Sequence, residues 1–447
     1  MKPDLVNISF QLFPHSGVVL ATSLIPAPER GSARGEFYWT ETVFNERRLR
    51  SGMVVCILLL ITGSISQGQP ADRVYESRFY TIYHNLPDEQ VRRHADHMDL
   101  IYGEYSRRFH GLRDRRKGRM NLYLLNSREG YQRQLASFGV DGSASGGMFF
   151  YGPHGSGLAT WIQGRSEADI HGILQHEGLH QFAHNYLGSH VPLWLNEGLA
   201  EYFEQAQIIR GKIKQGIAEP GRIERLKAAI EAEEIFQFDE LLNISGDEWR
   251  ANMVSGSPRG SLQYIQSWSI VYFLIHADKG KYRRAFQKYL NQLSNGRTHK
   301  SAFQTAFGAT DTRRFHARWQ HFVREQLKPD NYSIAIHRMH FLGQGLLFLS
   351  HSGESMPADI DSLRHTLQEK GFAVTRFGHV GQTKIAASDE SLYRYQDSKN
   401  QKREFEIVLP DTEGKIPKIQ ALGLRPAPIL DWEVAHEGGW RAVVKYK

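Results

Sequence analysis

The chain has 447 residues, enough for two or three domains of average size; 40% of the residues are hydrophobic and 23% are charged. These proportions are ordinary for globular proteins and exclude a globally disordered chain. The formal net charge is +7, but the basic residues are scattered and form no recognisable nucleic-acid-binding module, so we expect no nucleic acid as a partner. The single cysteine, Cys56, excludes an internal disulfide and a multi-thiolate zinc site. Any metal must therefore be bound by histidines and carboxylates.

The first segment of the chain resembles a secretory signal. Residues 47–50 read Arg-Arg-Leu-Arg and are followed by an apolar run at 53–62 and by small residues up to Ser66. We expect translation to start a little upstream of the arginines, cleavage after Ser66, and export to the periplasm, cell surface or medium. The apolar run is too short to cross a bilayer, so we expect no membrane span in the mature chain. The alternative is a buried strand or helix.

Apolar periodicity predicts a first domain of mixed strands and helices over residues 67–330, after an N-terminal extension and signal at 1–66. Ser166 and Asp169 resemble a capping box at the start of one long helix, and Gly188 suits its end. The predicted strands lie at 74–84, 120–125, 148–151 and 158–163. The predicted helices lie at 88–109, 127–138, 166–186, 192–203, 222–233, 262–277, 281–294 and 310–327.

A Lys-Pro-Asp sequence at 328–330 marks a break, after which the pattern changes. We predict a strand at 345–350, a helix at 358–370, a strand at 372–377 and further strands towards the end. Residues 331–447 are therefore expected to form a small α/β appendage, and the fold class of the whole chain is expected to be α+β.

The clearest chemical pattern is His-Glu-Gly-Leu-His at residues 176–180. On a helix, His176 and His180 lie one turn apart on one face, where two imidazoles can bind one Zn²⁺. Glu177 lies between them and is close enough to act as a base on a water molecule. The pattern alone is modest evidence, because histidine and glutamate are frequent in this chain.

A second pattern strengthens the first. Residues 193–204 read Leu-Trp-Leu-Asn-Glu-Gly-Leu-Ala-Glu-Tyr-Phe-Glu on the next predicted helix. Glu197 falls where it can fold back and supply a third ligand, and a catalytic zinc site needs three protein ligands. Glu201 shares that helix face and can accept a hydrogen bond from a ligand imidazole. The alternative for both carboxylates is a solvated helix face.

Together, His-Glu-x-x-His and Asn-Glu-Gly-x-Ala resemble the motifs of the gluzincin metallopeptidases, the peptidase-MA-like group. The chain is similar to a bacterial family of uncharacterised exported proteins in that group, and more distantly to aminopeptidase N and thermolysin. The resemblance covers roughly residues 74–328. It implies a small mixed sheet with a mostly helical lobe, one zinc ion held by His176, His180 and Glu197, and Glu177 as the general base.

The same resemblance suggests two further residues. The helix start Gln-Tyr-Ile-Gln-Ser-Trp at 263–268 is similar to the Tyr-x-Lys-Gly helix start of aminopeptidase N-like enzymes, although the Lys and Gly are absent here. It implies Tyr264 as a donor to the oxyanion of the tetrahedral intermediate; the alternative is a core tyrosine. Glu201 matches the carboxylate that thermolysin-like enzymes place one turn after the ligand.

One strand departs from the family pattern. Residues 146–150 read Gly-Gly-Met-Phe-Phe and resemble the Gly-x-Met-Glu-Asn strand of aminopeptidase N-like enzymes. The resemblance implies Gly147 and Met148 as substrate-binding residues, since such a strand can pair with an extended substrate. Phe149 and Phe150 replace the two polar residues, so no group for a substrate α-amine is evident. The departure favours an endopeptidase, or another amide hydrolase, over an aminopeptidase.

The sequence thus predicts an exported zinc metallopeptidase that acts on a peptide or protein substrate. A catalytically inactive metallopeptidase-like binding protein at the cell surface is one alternative, and a non-peptidase metal hydrolase is another. The intact Glu177 favours the enzyme, since a degenerate site is free to lose its base. The sequence indicates no oligomeric state.

Overall fold

The structure is a computed structural model of the chain. It describes residues 71–447, apart from 144, 164, 166, 189–190, 210, 256, 309–311, 379–380, 397–401, 413 and 435–439. The expected signal segment and the capping residue Ser166 lie outside the described residues. Within the described part, no helix is both long and apolar enough to cross a membrane.

A five-stranded mixed sheet begins the described chain. Its strands are β1 (Arg73–Glu76), β2 (Tyr80–His84), β3 (Met120–Leu125), β4 (Gly147–Gly152) and β5 (Gly155–Trp161). They lie in the order β1-β2-β3-β5-β4. Strands β2, β3 and β5 are parallel, while β1 and β4 run antiparallel at the two edges. Among the described residues, β4 has a strand partner on one side only, because it lies at an edge of the sheet.

Alternation along β3 shows how the sheet is covered on both faces. Leu122 and Leu124 face one core, while Tyr123 and Leu125 face another, because successive side chains of a strand point to opposite sides. The first face is packed by α1 (Asp88–Arg108) and α3 (Glu167–Leu187), and the second by α2 (Arg128–Ser137). The long helix α3 therefore lies directly on the sheet.

The predicted strand at 74–84 is wrong in its continuity, because a turn divides it into β1 and β2. Asp99 of α1 accepts hydrogen bonds from the Ser77 hydroxyl and from the backbone N–H groups of Arg78 and Phe79, which stabilises the turn. At the end of α3, Gly188 has φ of +87°, the left-handed conformation expected of a helix-terminating glycine.

A helical lobe follows α3 and shares one large core with the sheet. Its helices are α4 (Leu193–Glu204), α5 (Pro220–Glu231), α6 (Phe238–Asn243), α7 (Gly246–Val254), α8 (Pro258–Gly280), α9 (Arg283–Ser294), α10 (His299–Phe307) and α11 (Thr312–His321). Helix α11 continues into a π-helical turn at Phe322–Gln326, and the short strands β6 (Gln207–Ile209) and β7 (Lys212–Lys214) form a hairpin. The long predicted helices are confirmed, whereas α6, α7, α10 and the hairpin were not predicted.

The last part of the chain has a hydrophobic core of its own. Its helices are α12 (Asn331–His351) and α13 (Ile360–Glu369), with a 3-10 turn at Glu390–Tyr393. Its strands are β8 (Ala373–Gly378), β9 (Gly381–Ala386), β10 (Arg394–Gln396), β11 (Lys402–Val408), β12 (Lys418–Ala421), β13 (Pro428–Val434) and β14 (Trp440–Tyr446). Strands β10 to β14 form one antiparallel sheet in sequence order, and β8 and β9 form a separate pair.

The strand predicted at 345–350 is wrong, because these residues belong to α12. Asp330 caps the helix through the N–H groups of Tyr332 and Ser333. Met339, Leu342, Leu346 and Leu349 are fully buried at helical spacing, so the apolar run continues a helical stripe. The chain is thus of mixed α and β composition, as the α+β prediction requires.

The contact between α4 and α8 provides a test of this packing. A Cβ atom on Gly198 would lie 2.5 Å from the carbonyl oxygen of Ser267 and 2.9 Å from Val271 Cγ2. Since a backbone atom cannot move aside cheaply, we expect Gly198→Ala to lower the free energy of unfolding by about 1–3 kcal/mol. Chemical denaturation measures the change.

The matched control is Gly103→Ala on α1, where an added Cβ meets nothing within 4 Å. Alanine has the higher helix propensity, so this variant should be unchanged or up to about 1 kcal/mol more stable. Equal stabilities of the two variants would contradict the close approach of α4 to α8.

Candidate metal centre

Three buried side chains from α3 and α4 lie close together. His176 and His180 project from one face of α3, and their Nε2 atoms lie 3.5 and 3.6 Å from Glu197 Oε2 on α4. The nearest ligand atoms of all three residues lie within 4.8 Å of one another. The structure therefore brings together the three residues that the sequence suggested as metal ligands.

The chemistry of this donor set fits a metal ion. The three side chains are at most 2% exposed. His176 Nε2 and Glu197 Oε1 have no hydrogen-bond partner among the described residues, although buried polar atoms are normally paired. Two imidazole nitrogens and one carboxylate are the ligand types of catalytic zinc sites.

Glu204 orients one of the two imidazoles. Its Oε2 atom lies 3.0 Å from His176 Nδ1, so His176 donates from Nδ1 and directs Nε2 towards Glu197. A carboxylate in this position fixes the tautomer of a metal-binding histidine. The sequence analysis did not single out Glu204, although the residue lies on the Glu197 face of α4, two turns further along.

The structure places Glu201 differently from the sequence expectation. Its Oε2 atom accepts a hydrogen bond from the guanidinium group of Arg222. The hydrogen bond from the His176 imidazole, which the sequence suggested for Glu201, is accepted by Glu204. Arg222 also lies 3.8 Å from Glu204 Oε1. Arg222 lies in the first turn of α5. No spacing rule connects it with α4, so the sequence carried no signal for the ion pair between Arg222 and Glu201.

The site carries an excess of buried negative charge. In the described part of the chain, the buried carboxylates Glu177, Glu197 and Glu201 contribute −3 when ionised and buried Arg222 contributes +1, before the histidines are considered. Buried charges are normally paired or bound to metal ions, because leaving water costs several kcal/mol per ion. A divalent cation at the histidines would offset this excess.

Burial and the neighbouring charges act in opposite directions on the ligands. Burial would lower the pKa of His176, but its contacts with Glu197 and Glu204 raise that pKa well above the usual value. Burial would raise the pKa of Glu197, but His180 and His176 lower it to about 2. The carboxylates thus stabilise positive charge at this point. A metal ion would compete with protons for the same ligand atoms.

Glu177 is fixed at the edge of the sheet. Its Oε2 atom accepts a hydrogen bond of 2.6 Å from the backbone N–H of Phe149 in β4. Its Oε1 atom is buried and has no hydrogen-bond partner among the described residues. Burial raises the pKa of this carboxyl group, while the charges of His180 and His176 lower it in part. Oε2 is thus held in place, while Oε1 can accept a hydrogen bond from a small polar molecule.

The structure separates the two residues of β4 that the sequence suggested for substrate binding. Gly147 faces α3, where an added Cβ would lie 2.4 Å from Ile173 Cγ2, so a larger residue does not fit. The Met148 side chain packs into the core on the other face of the sheet, away from α3. Since Phe149 donates to Glu177, it is the residue of this strand that contacts the site directly.

Tyr264 lies near the carboxylates, at the start of α8. It is 7% exposed, and its hydroxyl accepts a hydrogen bond of 3.1 Å from Trp249 Nε1 on α7. Burial raises the pKa of the phenol well above its usual value, and the charge of Glu197 raises it further. In the bond with Trp249 the phenol is the acceptor.

Comparison with known proteins associates this region with one family. The family described as "Protein of unknown function (DUF1570)" matches residues 170–298, which is less than a third of the chain. The matched stretch includes the residues of the candidate site, namely His176, Glu177, His180, Glu197, Glu201, Glu204, Arg222 and Tyr264. A search of curated proteins finds no match. The family description assigns no activity, so the chemistry must be argued from the site.

The different partners of Glu204 and Glu201 predict different effects of substitution. Glu204→Ala should weaken metal binding about 10- to 100-fold, because His176 loses the acceptor that orients it. Glu201→Gln should change metal affinity little but lower the free energy of unfolding, because buried Arg222 loses a charged partner. Competition with a chelator measures the first effect and urea denaturation the second. Equal metal affinities in the two variants, or a loss confined to Glu201→Gln, would contradict these roles.

Proposed function

We propose that this protein is a zinc-dependent hydrolase of the gluzincin type that cleaves peptide bonds, with one Zn²⁺ per chain. His176, His180 and Glu197 would hold the ion. The observation that carries the proposal is the convergence of these three buried ligands beside Glu177, a carboxylate with one oxygen fixed and one oxygen available. Export of the protein, inferred from residues 47–66, is part of the same proposal.

The chemistry that a zinc ion supplies at such a site is Lewis-acid activation of a water molecule and of the scissile carbonyl. Glu177 would accept a proton from the attacking water at Oε1 and later transfer it to the leaving amine. The hydrogen bond from the Phe149 N–H keeps the carboxylate in one orientation throughout. Tyr264 would donate a hydrogen bond to the oxyanion of the tetrahedral intermediate.

The free edge of β4 supports an extended peptide as the substrate. In an antiparallel pair, residues alternate between those that bond to the neighbouring strand and those whose backbone groups face outwards. Since Phe149 bonds outwards to Glu177, the backbone groups of Gly147 and Tyr151 also face the free edge. An extended chain pairing with this edge would run past the candidate metal ligands.

The side chains of β4 favour cleavage within a chain over removal of its first residue. An aminopeptidase needs an acidic group to bind the substrate α-amine, and Phe149 and Phe150 occupy the corresponding positions. Phe149 lies against His184, with ring centroids 5.5 Å apart, and Phe150 packs in the core on the opposite face. Neither position offers a charge for an α-amine.

One observation favours the alternative of a catalytically inactive binding protein. His176, Glu177, His180 and Glu197 are all at most 2% exposed, so a substrate must open the site before it can contact them. The two proposals differ in their dependence on Glu177. Only the enzyme requires a base beside the metal ligands.

Substitution of the base separates catalysis from metal binding. We expect Glu177→Gln to retain the metal and the fold, because the amide is nearly isosteric and can still accept the hydrogen bond from the Phe149 N–H. Hydrolysis should be lost, because an amide cannot act as a base. Digestion of a proteome-derived peptide pool, read by mass spectrometry, measures the activity. Cleavage by Glu177→Gln at the parent rate would exclude the proposed role of Glu177.

Removal of one hydroxyl tests the oxyanion donor. Tyr264→Phe should lower kcat and kcat/KM together, by roughly 10²-fold, because the lost hydrogen bond acts mainly in the transition state. Trp249 Nε1 loses its acceptor in this variant, so we also expect a destabilisation of about 1–3 kcal/mol. Steady-state kinetics with a cleaved peptide and thermal denaturation measure the two effects.

The control is Tyr272→Phe on the same helix. Tyr272 donates to the carbonyl of Gly216, so this variant also removes one hydrogen bond, which is partly buried. It should lose stability but keep normal turnover. An equal loss of kcat in the two variants would show that a general weakening of α8, and not an oxyanion contact, explains the effect.

A further inference from the structure

A second cavity lies behind α4, in the described part of the helical lobe. It has a volume of about 320 Å³ and is formed by the end of α1, by α4, by the end of α8 and by α9. Its floor is made of apolar side chains that are at most 5% exposed, namely Phe109, Leu199, Phe203, Ile275, Phe286 and Leu290. The floor thus offers an apolar surface to whatever enters the cavity.

The rim of this cavity is basic. Arg108, Arg283 and Arg284 line it, and no Asp or Glu does so in the described part of the chain. Arg108 donates to the Tyr202 hydroxyl and Arg283 to the carbonyl of Ile275, both neutral acceptors. No carboxylate among the described residues lies within 4.0 Å of the three guanidinium groups.

The acidic residue nearest in sequence is already paired. Glu104 lies one turn before Arg108 on α1, and it accepts two hydrogen bonds from Arg107. The pKa of a half-buried histidine nearby, His276, responds to these positive charges. Burial together with the positive charges of Arg108 and Arg283 lowers the pKa of His276 to about 4. The electrostatic field at the cavity mouth is therefore positive.

We propose that this cavity binds a single-chain amphipathic carboxylate of the fatty-acid class. The apolar tail would lie on the floor, and the carboxylate would contact the arginines at the mouth. An apolar pocket with a few convergent polar groups is the usual form of a small-molecule site. Arginine binds carboxylates through paired N–H donors, so the positive charge of the rim matches this ligand.

The cavity is connected to the candidate metal centre through α4. Leu199 and Phe203 project from the face of α4 opposite to Glu197, Glu201 and Glu204, as their spacing on the helix requires. A ligand on the floor would therefore support the back of the helix that carries these carboxylates. Binding to the folded state raises the melting temperature, so thermal denaturation provides a second readout.

The test is a calorimetric titration of the full chain with decanoate, decan-1-ol, decylammonium and acetate, with EDTA present so that a metal cannot bind the carboxylate. We expect decanoate to saturate at one per chain and to raise the melting temperature. Loss of the charge or of the tail should weaken binding about 10-fold or more. Decan-1-ol binding as tightly as decanoate, or no saturable binding of decanoate, would overturn the proposal.

Variants locate the site. Arg284→Glu should weaken decanoate binding about 10-fold or more, because a like charge then faces the carboxylate. Arg284 is exposed, so its substitution should not disturb the fold. Gln287→Trp, which fills the cavity from its rim, should weaken decanoate and decan-1-ol together. Arg297→Glu carries the same charge change on an exposed residue that does not line the cavity, and it should bind as the parent does.

Two further outcomes, one with these variants and one with the parent protein, count against the proposal. Unchanged decanoate affinity in both Arg284→Glu and Gln287→Trp would place the ligand elsewhere. Binding of an acidic apolar peptide, such as acetyl-Leu-Leu-Glu, by a parent protein that does not bind decanoate would replace the fatty-acid class by a peptide.

Discussion

Three buried carboxylates close to two buried histidines impose the main constraint on this molecule. Glu177, Glu197 and Glu201 are buried, and in the described part of the chain Arg222 pairs with Glu201 and lies 3.8 Å from Glu204. Ionised groups are costly to remove from water unless an opposite charge is close. A cation bound by His176, His180 and Glu197 would satisfy this constraint, and the remaining charges would then have a function in holding and orienting the ligands.

The elements around the site are arranged so that this charge can be buried. Helix α3 lies on the sheet and presents both histidines, while the N–H of Phe149 at the edge of β4 holds Glu177. Helix α4 approaches α8 closely because Gly198 has no side chain. On one side of α4, Glu197 lies beside the histidines. On the other, the contact with α8 places Tyr264, near the start of that helix, close to the carboxylates. The same helix α4 contributes Leu199 and Phe203 to the floor of the basic cavity, so both proposed sites depend on its position.

Much of this arrangement could be predicted from the sequence, because the signals were local. The spacing of His176 and His180 and the strong periodicity of the long helices need no tertiary information. Glu197 could be inferred from the motif that surrounds it. Glu204 and Arg222 could not be assigned, because the choice between Glu201 and Glu204 depends on how α4 is rotated about its axis. The error at 345–350 had another cause, since a short apolar run is compatible with both strand and helix.

The metal content of the purified full-length chain tests the central claim most directly. After incubation with zinc and removal of loosely bound metal, mass spectrometry of the metal should find about one zinc per chain in the parent, as expected for three protein ligands. The His180→Ala protein, prepared in the same way and shown to be folded by circular dichroism, should hold none. A parent chain without stoichiometric zinc, or a folded His180→Ala protein that retains it, would contradict the account.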